Sequence, residues 1–196
     1  RIHGNRPLKT LTGLATRPTL ARVREALFNI WQGEIEGCRW LDLCTGSGAI
    51  GAEALCWGAA SVTGIEQSGQ ACRVAQHNWQ QIAKPAQQFQ VIRGDVIQKL
   101  PTLATQQFDR IYFDPPYAGG LYDAVLAAIA QYDLLAPEGE LAAEHSPQQN
   151  LPEAVGQLSV TRRKVYGNTA LTFYKIQNYT IQQSPDSFSR PVVSPK

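Results

Sequence analysis

The stretch Arg39-Trp40-Leu41-Asp42-Leu43-Cys44-Thr45-Gly46-Ser47-Gly48-Ala49-Ile50-Gly51 begins as a short apolar strand, turns on glycines and continues into a helix that reads through Trp57. Gly46, Gly48 and Gly51 stand at the spacing GxGxxG. Glycine there lets the chain turn sharply and lets a ligand approach the backbone, at the start of a helix whose first N–H groups have no partner within the helix. Outward from this turn, residues 61–66 (SVTGIE) read as a strand ending on Glu66, 20 residues after Gly46. A carboxylate so placed can accept both ribose hydroxyls of a nucleoside. Loop and acid together predict a nucleoside-containing cofactor, and they suit a nicotinamide dinucleotide and S-adenosylmethionine alike.

The alternation continues downstream. A helix over 68–83 can be capped by Ser68; strand 89–93, short helix 96–100, strand 108–113, helix 121–132 and strand 140–144 follow. Elements alternating at these lengths predict an α/β fold, a mostly parallel sheet covered on both faces. After Pro152 two strand-like segments, 158–165 and 170–176, flank Tyr166-Gly167-Asn168-Thr169, a turn sequence, which predicts an antiparallel hairpin at the sheet edge. Upstream, Leu20, Val23, Leu27 and Ile30 recur at helical spacing, so a helix is expected over 19–31, capped by Thr19, with Arg22 and Arg24 facing away from the apolar stripe. Residues 1–177 thus read as one domain with a basic arm over 1–18, and residues 178–196 as a Ser/Pro-rich tail that adds no core.

A chain of 196 residues, 43% hydrophobic, suits one domain with a full core. No apolar run approaches the roughly 20 residues a bilayer span needs, and the basic start lacks the apolar stretch of a signal peptide. Cys38, Cys44, Cys56 and Cys72 form no CxxC pair and have no His at zinc-like spacing. The expectation is a cytoplasmic monomer with reduced thiols, no membrane association and no metal. The net charge of +2 conceals an asymmetry: residues 1–24 carry Arg1, Arg6, Lys9, Arg17, Arg22 and Arg24 without an acid, leaving −4 for the rest. Such an arm suits a phosphate backbone, where each neutralised phosphate releases counterions, although a solvated surface has the same composition.

Asp42, just before the glycines, shifts the balance between the two cofactors. An acid there repels a pyrophosphate but attracts the ammonium and sulfonium portion of S-adenosylmethionine; its plainer alternative is to cap the N–H groups of its own loop. Asp95, in Gly94-Asp95-Val96 after the third strand, can accept from an adenine amino group and can equally cap the following helix. The cofactor set read from the loop is Asp42, Thr45, Gly46, Ser47, Gly48 and Gly51. From the later strand ends it takes Glu66, Gln67, Asp95 and Val96.

Asp114-Pro115-Pro116-Tyr117, at the end of the fourth strand, is the most specific signal in the chain. Two prolines fix their own φ, remove two N–H donors and push Asp114 out of helical geometry, which sets backbone carbonyls at fixed angles. An exocyclic amino group on a base is a poor nucleophile because its lone pair is delocalised into the ring. Accepting its N–H bonds at the Asp114 carboxylate and a proline carbonyl localises that pair toward a methyl donor. Tyr117 can stack on a base that has left its neighbours. In isolation the tetrapeptide reads as a packed loop. Following a fourth strand, downstream of the glycine turn and Glu66, it points to base amino-methylation.

These motifs, together with the basic arm, Arg17-Pro18-Thr19, Arg22-Val23-Arg24-Glu25-Ala26-Leu27-Phe28-Asn29 and Arg163-Lys164-Val165-Tyr166-Gly167, resemble the RsmD family, bacterial 16S ribosomal RNA guanine-N2 methyltransferases. The resemblance implies a Rossmann-like, seven-stranded sheet of order 3-2-1-4-5-7-6 with S-adenosylmethionine over the carboxyl ends of strands one and two. It implies a guanine of 16S RNA as substrate, on an assembling small ribosomal subunit. It also implies that Gly46 and Gly48 line the methionine part, Glu66 holds the ribose, Asp95 the adenine, and Asp114 with Tyr117 the guanine. Cys44-Thr45 departs from the aromatic-containing pair the family pattern has before Gly-Ser-Gly. Arg17, Thr19, Arg22, Arg24, Arg162, Arg163 and Lys164 are the candidate RNA contacts. The alternatives are a DNA adenine-N6 methyltransferase, which lacks here a domain to read a groove, a nicotinamide-dependent dehydrogenase, and a non-catalytic RNA-binding protein.

Overall fold

In the computed structural model, which describes residues 7–10, 18–116 and 120–177 (side chains of 18–20 apart), the glycine turn joins strand β1 (Arg39–Leu43) to helix α2 (Ala49–Cys56). Helix α1 (Pro18–Ile30) precedes them, and β2 (Ser61–Glu66), α3 (Gly69–Ile82), β3 (Gln88–Arg93), α4 (Val96–Lys99), β4 (Phe108–Phe113) and α5 (Tyr122–Gln131) continue the alternation. Strands β5 (Leu135–His145), β6 (Ala154–Val155), β7 (Leu158–Tyr166) and β8 (Thr169–Ile176) complete an eight-stranded sheet of order β3-β2-β1-β4-β5-β8-β7-β6. Strands β1 to β5 pair in parallel, and β8, β7 and β6 add antiparallel. The expected order holds, with the two-residue β6 added at the edge. The hairpin closes through Gly167 at φ 64°, the conformation glycine supplies at the first position of a two-residue turn.

Two apolar layers cover the sheet. On one face Val23, Leu27 and Phe28 of α1, Trp31 just after it, and Ala52 and Leu55 of α2 meet Trp40, Val62 and Phe173, with Trp79 of α3 fully buried among them. On the other, Val125, Leu126 and Ile129 of α5, with Val96 and Leu100, meet Leu41, Leu43, Ile111 and Phe113. Each buried Val, Leu, Ile or Phe among them contributes about 1.5–3 kcal/mol when removed from water.

Three expectations need correction. Helix α1 starts at Pro18, so Thr19 lies inside its first turn and is not its cap; proline's fixed φ and missing N–H suit the first helical position. Strand β5 begins at Leu135, five residues earlier than expected, and a register irregularity between Phe108 and Arg110 accommodates its run through Pro137 and Gly139. The short helix ends at Lys99 and passes into a 3-10 turn over Leu100–Leu103. Among the described residues no helix is long and apolar enough to cross a membrane. The tail from 178 lies outside the described residues.

Candidate active site

The sheet order reverses between β1 and β4, and a carboxylate stands at or just past the carboxyl end of each parallel strand: Asp95 after β3, Glu66 on β2, Asp42 on β1, Asp114 after β4 and Glu144 on β5. A crevice opens at such a reversal because neighbouring connections leave on opposite faces. Here it is a cavity of about 480 Å³, lined by Gly46, Glu66, Gln67, Asp95, Val96, Asp114, Pro115 and Pro116 among others. Apolar wall comes from Ile65, Ala71, Val96 and Leu121, and no Lys, Arg or His lines it among the described residues. The volume lies within the range of small-molecule sites.

The loop's own hydrogen bonds explain its shape. Gly46 N–H donates to Glu66 Oε2 at 2.9 Å, Gly48 N–H to the Thr45 carbonyl at 2.8 Å, and Gly51 N–H to Asp42 Oδ2 at 3.1 Å. The Thr45 hydroxyl also donates to Asp42 Oδ2. Asp42 is 1% exposed, and burial pushes its carboxyl up to about 7. It therefore acts as the brace of the loop, the plainer of its two readings. Asp42, Thr45, Ser47, Gly48 and Gly51 shape the cavity wall from behind and are not among the residues that line it.

Helix α3 holds the loop from the other side. Trp79 Nε1 donates to the Gly48 carbonyl at 2.7 Å and Asn78 Nδ2 to the Ser47 carbonyl at 2.9 Å. A Cβ on Gly48 would come 2.7 Å from Trp79 Nε1 and 2.8 Å from Ala75 Cβ, and one on Gly51 only 2.4 Å from Trp79 Cζ2, so both glycines are required by packing. Asn78 also exchanges hydrogen bonds with the backbone of Lys9 at 2.9 and 3.0 Å, which fixes that part of the basic arm beside the loop. Cys44, which lines the cavity, takes φ 61°, unusual for a residue with a Cβ. Neither Asn78 nor Trp79 was flagged by sequence, since both fall on a helix whose apolar face accounts for them.

Glu66 is half-buried, with Oε1 accepting from Ser68 N–H at 2.7 Å. Asp95 caps α4 by accepting from Gln98 N–H at 3.1 Å while facing the cavity, so both of its expected roles are compatible. Asp114 is held well above the usual carboxylate range, first by burial and then by the charges of Glu144 and Asp42. Tyr112 donates its hydroxyl to Glu144 Oε2, and Glu144, which sequence reading passed over as part of an apolar strand, is 2% exposed.

The candidate RNA contacts divide. Arg22 and Lys164 are exposed. Arg24, expected to face away from the core, instead meets Glu53 of α2, Nε to Oε2 at 3.3 Å. Arg162 pairs with buried Glu140 and lies over the Phe173 ring, 4.7 Å from its centroid. Arg163 meets Glu153 at 2.6 Å. Arg17, the Thr19 side chain and Tyr117 lie outside the described residues.

Comparison with known proteins agrees with this geometry. The family described as Conserved hypothetical protein 95 matches residues 2–175. YlbH of Bacillus subtilis (strain 168) is 36% identical over 172 residues, 87% of this chain and 93% of that protein. Ribosomal RNA small subunit methyltransferase D of Escherichia coli (strain K12) is 32% identical over 160 residues, 81% of this chain and 79% of that protein. The solved structure of yhhF from Escherichia coli superposes with a TM-score of 0.76 at 30% identity, covering 88% of this chain and 92% of that one. Matched over nearly all of its alternating sheet, the chain belongs to the RsmD family.

Proposed function

We propose that the protein transfers the methyl group of S-adenosylmethionine to the exocyclic N2 of a guanine in 16S ribosomal RNA, presented on an assembling small ribosomal subunit. The observation that carries this reading is the acid-rimmed cavity: Glu66, Asp95 and Asp114 line it, and no cation does among the described residues. A pyrophosphate would meet those three carboxylates and a glycine turn whose Gly46, Gly48 and Gly51 N–H groups are already engaged. That disfavours a dinucleotide and suits a ligand bearing an ammonium and a sulfonium. The cofactor, when bound, supplies a methyl group on positive sulfur, already strongly electrophilic.

The chain's own residues then have three tasks. Glu66 accepts from the ribose and Asp95 from the adenine amino group, against the apolar wall of Ile65, Val96 and Leu121. Asp114, with the carbonyl of Pro115 or Pro116, accepts the two N–H bonds of the guanine amino group and turns its lone pair toward the methyl carbon. Fixing nitrogen and carbon in line contributes up to roughly 7–11 kcal/mol of the barrier lowering. The name of the Escherichia coli relative supports small-subunit ribosomal RNA as the substrate. Exposed Arg22 and Lys164, with Arg17 and Thr19 of the family motif, contact its backbone in this reading, and Tyr117 stacks on the extruded base.

The test is Asp114→Ala. Methyl transfer to 16S RNA falls at least about 100-fold, while calorimetric affinity for S-adenosylmethionine stays close to that of the parent. Turnover retained in this variant refutes the assignment.

A further inference from the structure

Glu144 sits behind Asp114, outside the cavity wall, and is not explained by cofactor or base binding. Its neighbourhood is specific. Register partners Tyr112↔Ala142 and Phe113↔Ala143 bring the next residues, Asp114 and Glu144, to adjacent places on one face of neighbouring parallel strands. The Tyr112 hydroxyl is bonded to Glu144 Oε2, whereas Glu144 Oε1 is buried with no hydrogen-bond partner. A bare carboxylate oxygen in that position is costly. A carboxylic acid is not, if its proton is given to an acceptor alongside, and the adjacent acceptor is Asp114.

We propose that Asp114 and Glu144 form a carboxyl pair that holds one proton between them, with Glu144 fixed by Tyr112 and Asp114 as the member offered to the substrate amino group. Glu144 is then a positioning residue that acts through Asp114. The groups facing the pair are Asp42 of β1 and Tyr112 of β4; the next residue, His145, is turned to the Ser146 carbonyl and Thr172. None is a cation among the described residues, so two negative charges at these places are strongly disfavoured. Burial raises both acids, the charge of Glu144 raises Asp114 further, and the Tyr112 hydroxyl partly offsets the rise at Glu144, in agreement with one proton retained by the pair.

The pair also balances the reaction of the proposed function, on which this inference rests. The N–C bond forms as the S–C bond breaks, and the sulfonium becomes a neutral thioether. The amino nitrogen turns positive and gives one proton to Asp114, which later passes it to water. Site charge is neutral before, with one sulfonium and one carboxylate, and neutral after, with a thioether and two carboxylic acids. No net charge has to be created in a buried place.

Two measurements on the full chain test this. Infrared spectroscopy of the wild-type protein without cofactor should show the carbonyl band of a buried carboxylic acid above neutral pH, absent in Glu144→Gln. Methyl transfer to 16S RNA followed against pH should fall on the alkaline side as the pair loses its shared proton. Glu144→Ala should lose about 100-fold in kcat with cofactor affinity unchanged. Glu144→Gln, which keeps a donor toward Asp114, should rescue most of that loss yet lack the alkaline fall. No carboxylic acid band, or a Glu144→Gln pH profile with the wild-type alkaline limb, overturns the pair. A band present in a protein that transfers no methyl group to guanine leaves the pair standing and overturns the proposed function instead.

Discussion

The two ends of the sheet each hold a hollow of nearly equal size, about 480 Å³ at the carboxyl ends and about 470 Å³ at the amino ends, yet their chemistry differs completely. The amino end is bordered by Gln88, Gln90, Gln106 and Gln107 and by Arg39, whose guanidinium is already bonded to Asp109 at 2.9 and 3.1 Å. Its polar groups are neutral amides, the hydroxyls of Ser61, Thr63 and Thr105, and a closed ion pair. At the carboxyl end the acids have no cation beside them among the described residues that line the cavity, three of them are pushed upward by burial, and the backbone is bent through positive φ at Cys44, Gly46 and Gly48. The lesson is that volume does not mark a site here. Unneutralised charge together with tightly packed glycine does, because both are unfavourable for folding and persist where a ligand uses them.

The sharpest way to break this contrast is to add one methyl group to the glycine turn. Gly48→Ala combines a Cβ at φ 75° with contacts under 3 Å to Trp79 and Ala75, for a cost of about 2–5 kcal/mol in denaturant unfolding and loss of S-adenosylmethionine binding. Gln106→Ala at the opposite end should stay within about 0.5 kcal/mol and bind cofactor normally. Equal effects at both ends would dissolve the distinction.

A subtler test uses pH. Asp42 titrates at about 7 in the folded protein, above the usual carboxylate range of the unfolded chain, so the folded state holds its proton more tightly. Its favourable contribution is full below about pH 4 and is lost as pH rises through about 7. Asp114 and Glu144 act in the same sense, and His145, whose burial lowers it, in the opposite one. The difference between Asp42→Asn and wild type cancels those shared contributions. The Tm of Asp42→Asn relative to wild type should therefore climb between pH 5 and 8, and a flat difference would show that Asp42 carries no retained proton.

The smallest expected effect concerns the basic groups outside the crevice. Lys164→Ala should leave stability within about 0.5 kcal/mol and reduce the salt slope of RNA binding by about 0.7–0.9 for the one phosphate lost. Arg162→Ala should do the reverse, destabilising the fold by stripping a partner from Glu140, which is 1% exposed.

What sequence made legible was local. Gly46 to Gly51, Glu66, Asp95 and Asp114-Pro115-Pro116 announce themselves because strand ends and turns have short-range chemistry, and the structure brings Gly46, Glu66, Asp95, Asp114 and both prolines to one cavity. The residues missed act across the sheet. Trp79 and Asn78 reach the loop from 31 residues away, and Glu144 meets Tyr112 only through strand register, so no pattern within a window reveals them. Arg24 and Arg162 look free in sequence for the same reason, because Glu53 and Glu140 are tertiary neighbours. An acid in the apolar run Leu141-Ala142-Ala143-Glu144, beside the strand leading to Asp114, was the one available hint.

The central claim is most directly tested by nucleoside mass spectrometry of 16S RNA, free and in small-subunit particles, after incubation with the purified protein and S-adenosylmethionine. The account predicts N2-methylguanosine at a single guanine, absent with Asp114→Ala. Methyl groups on another base, on DNA adenine, or on no nucleic acid at all would contradict it.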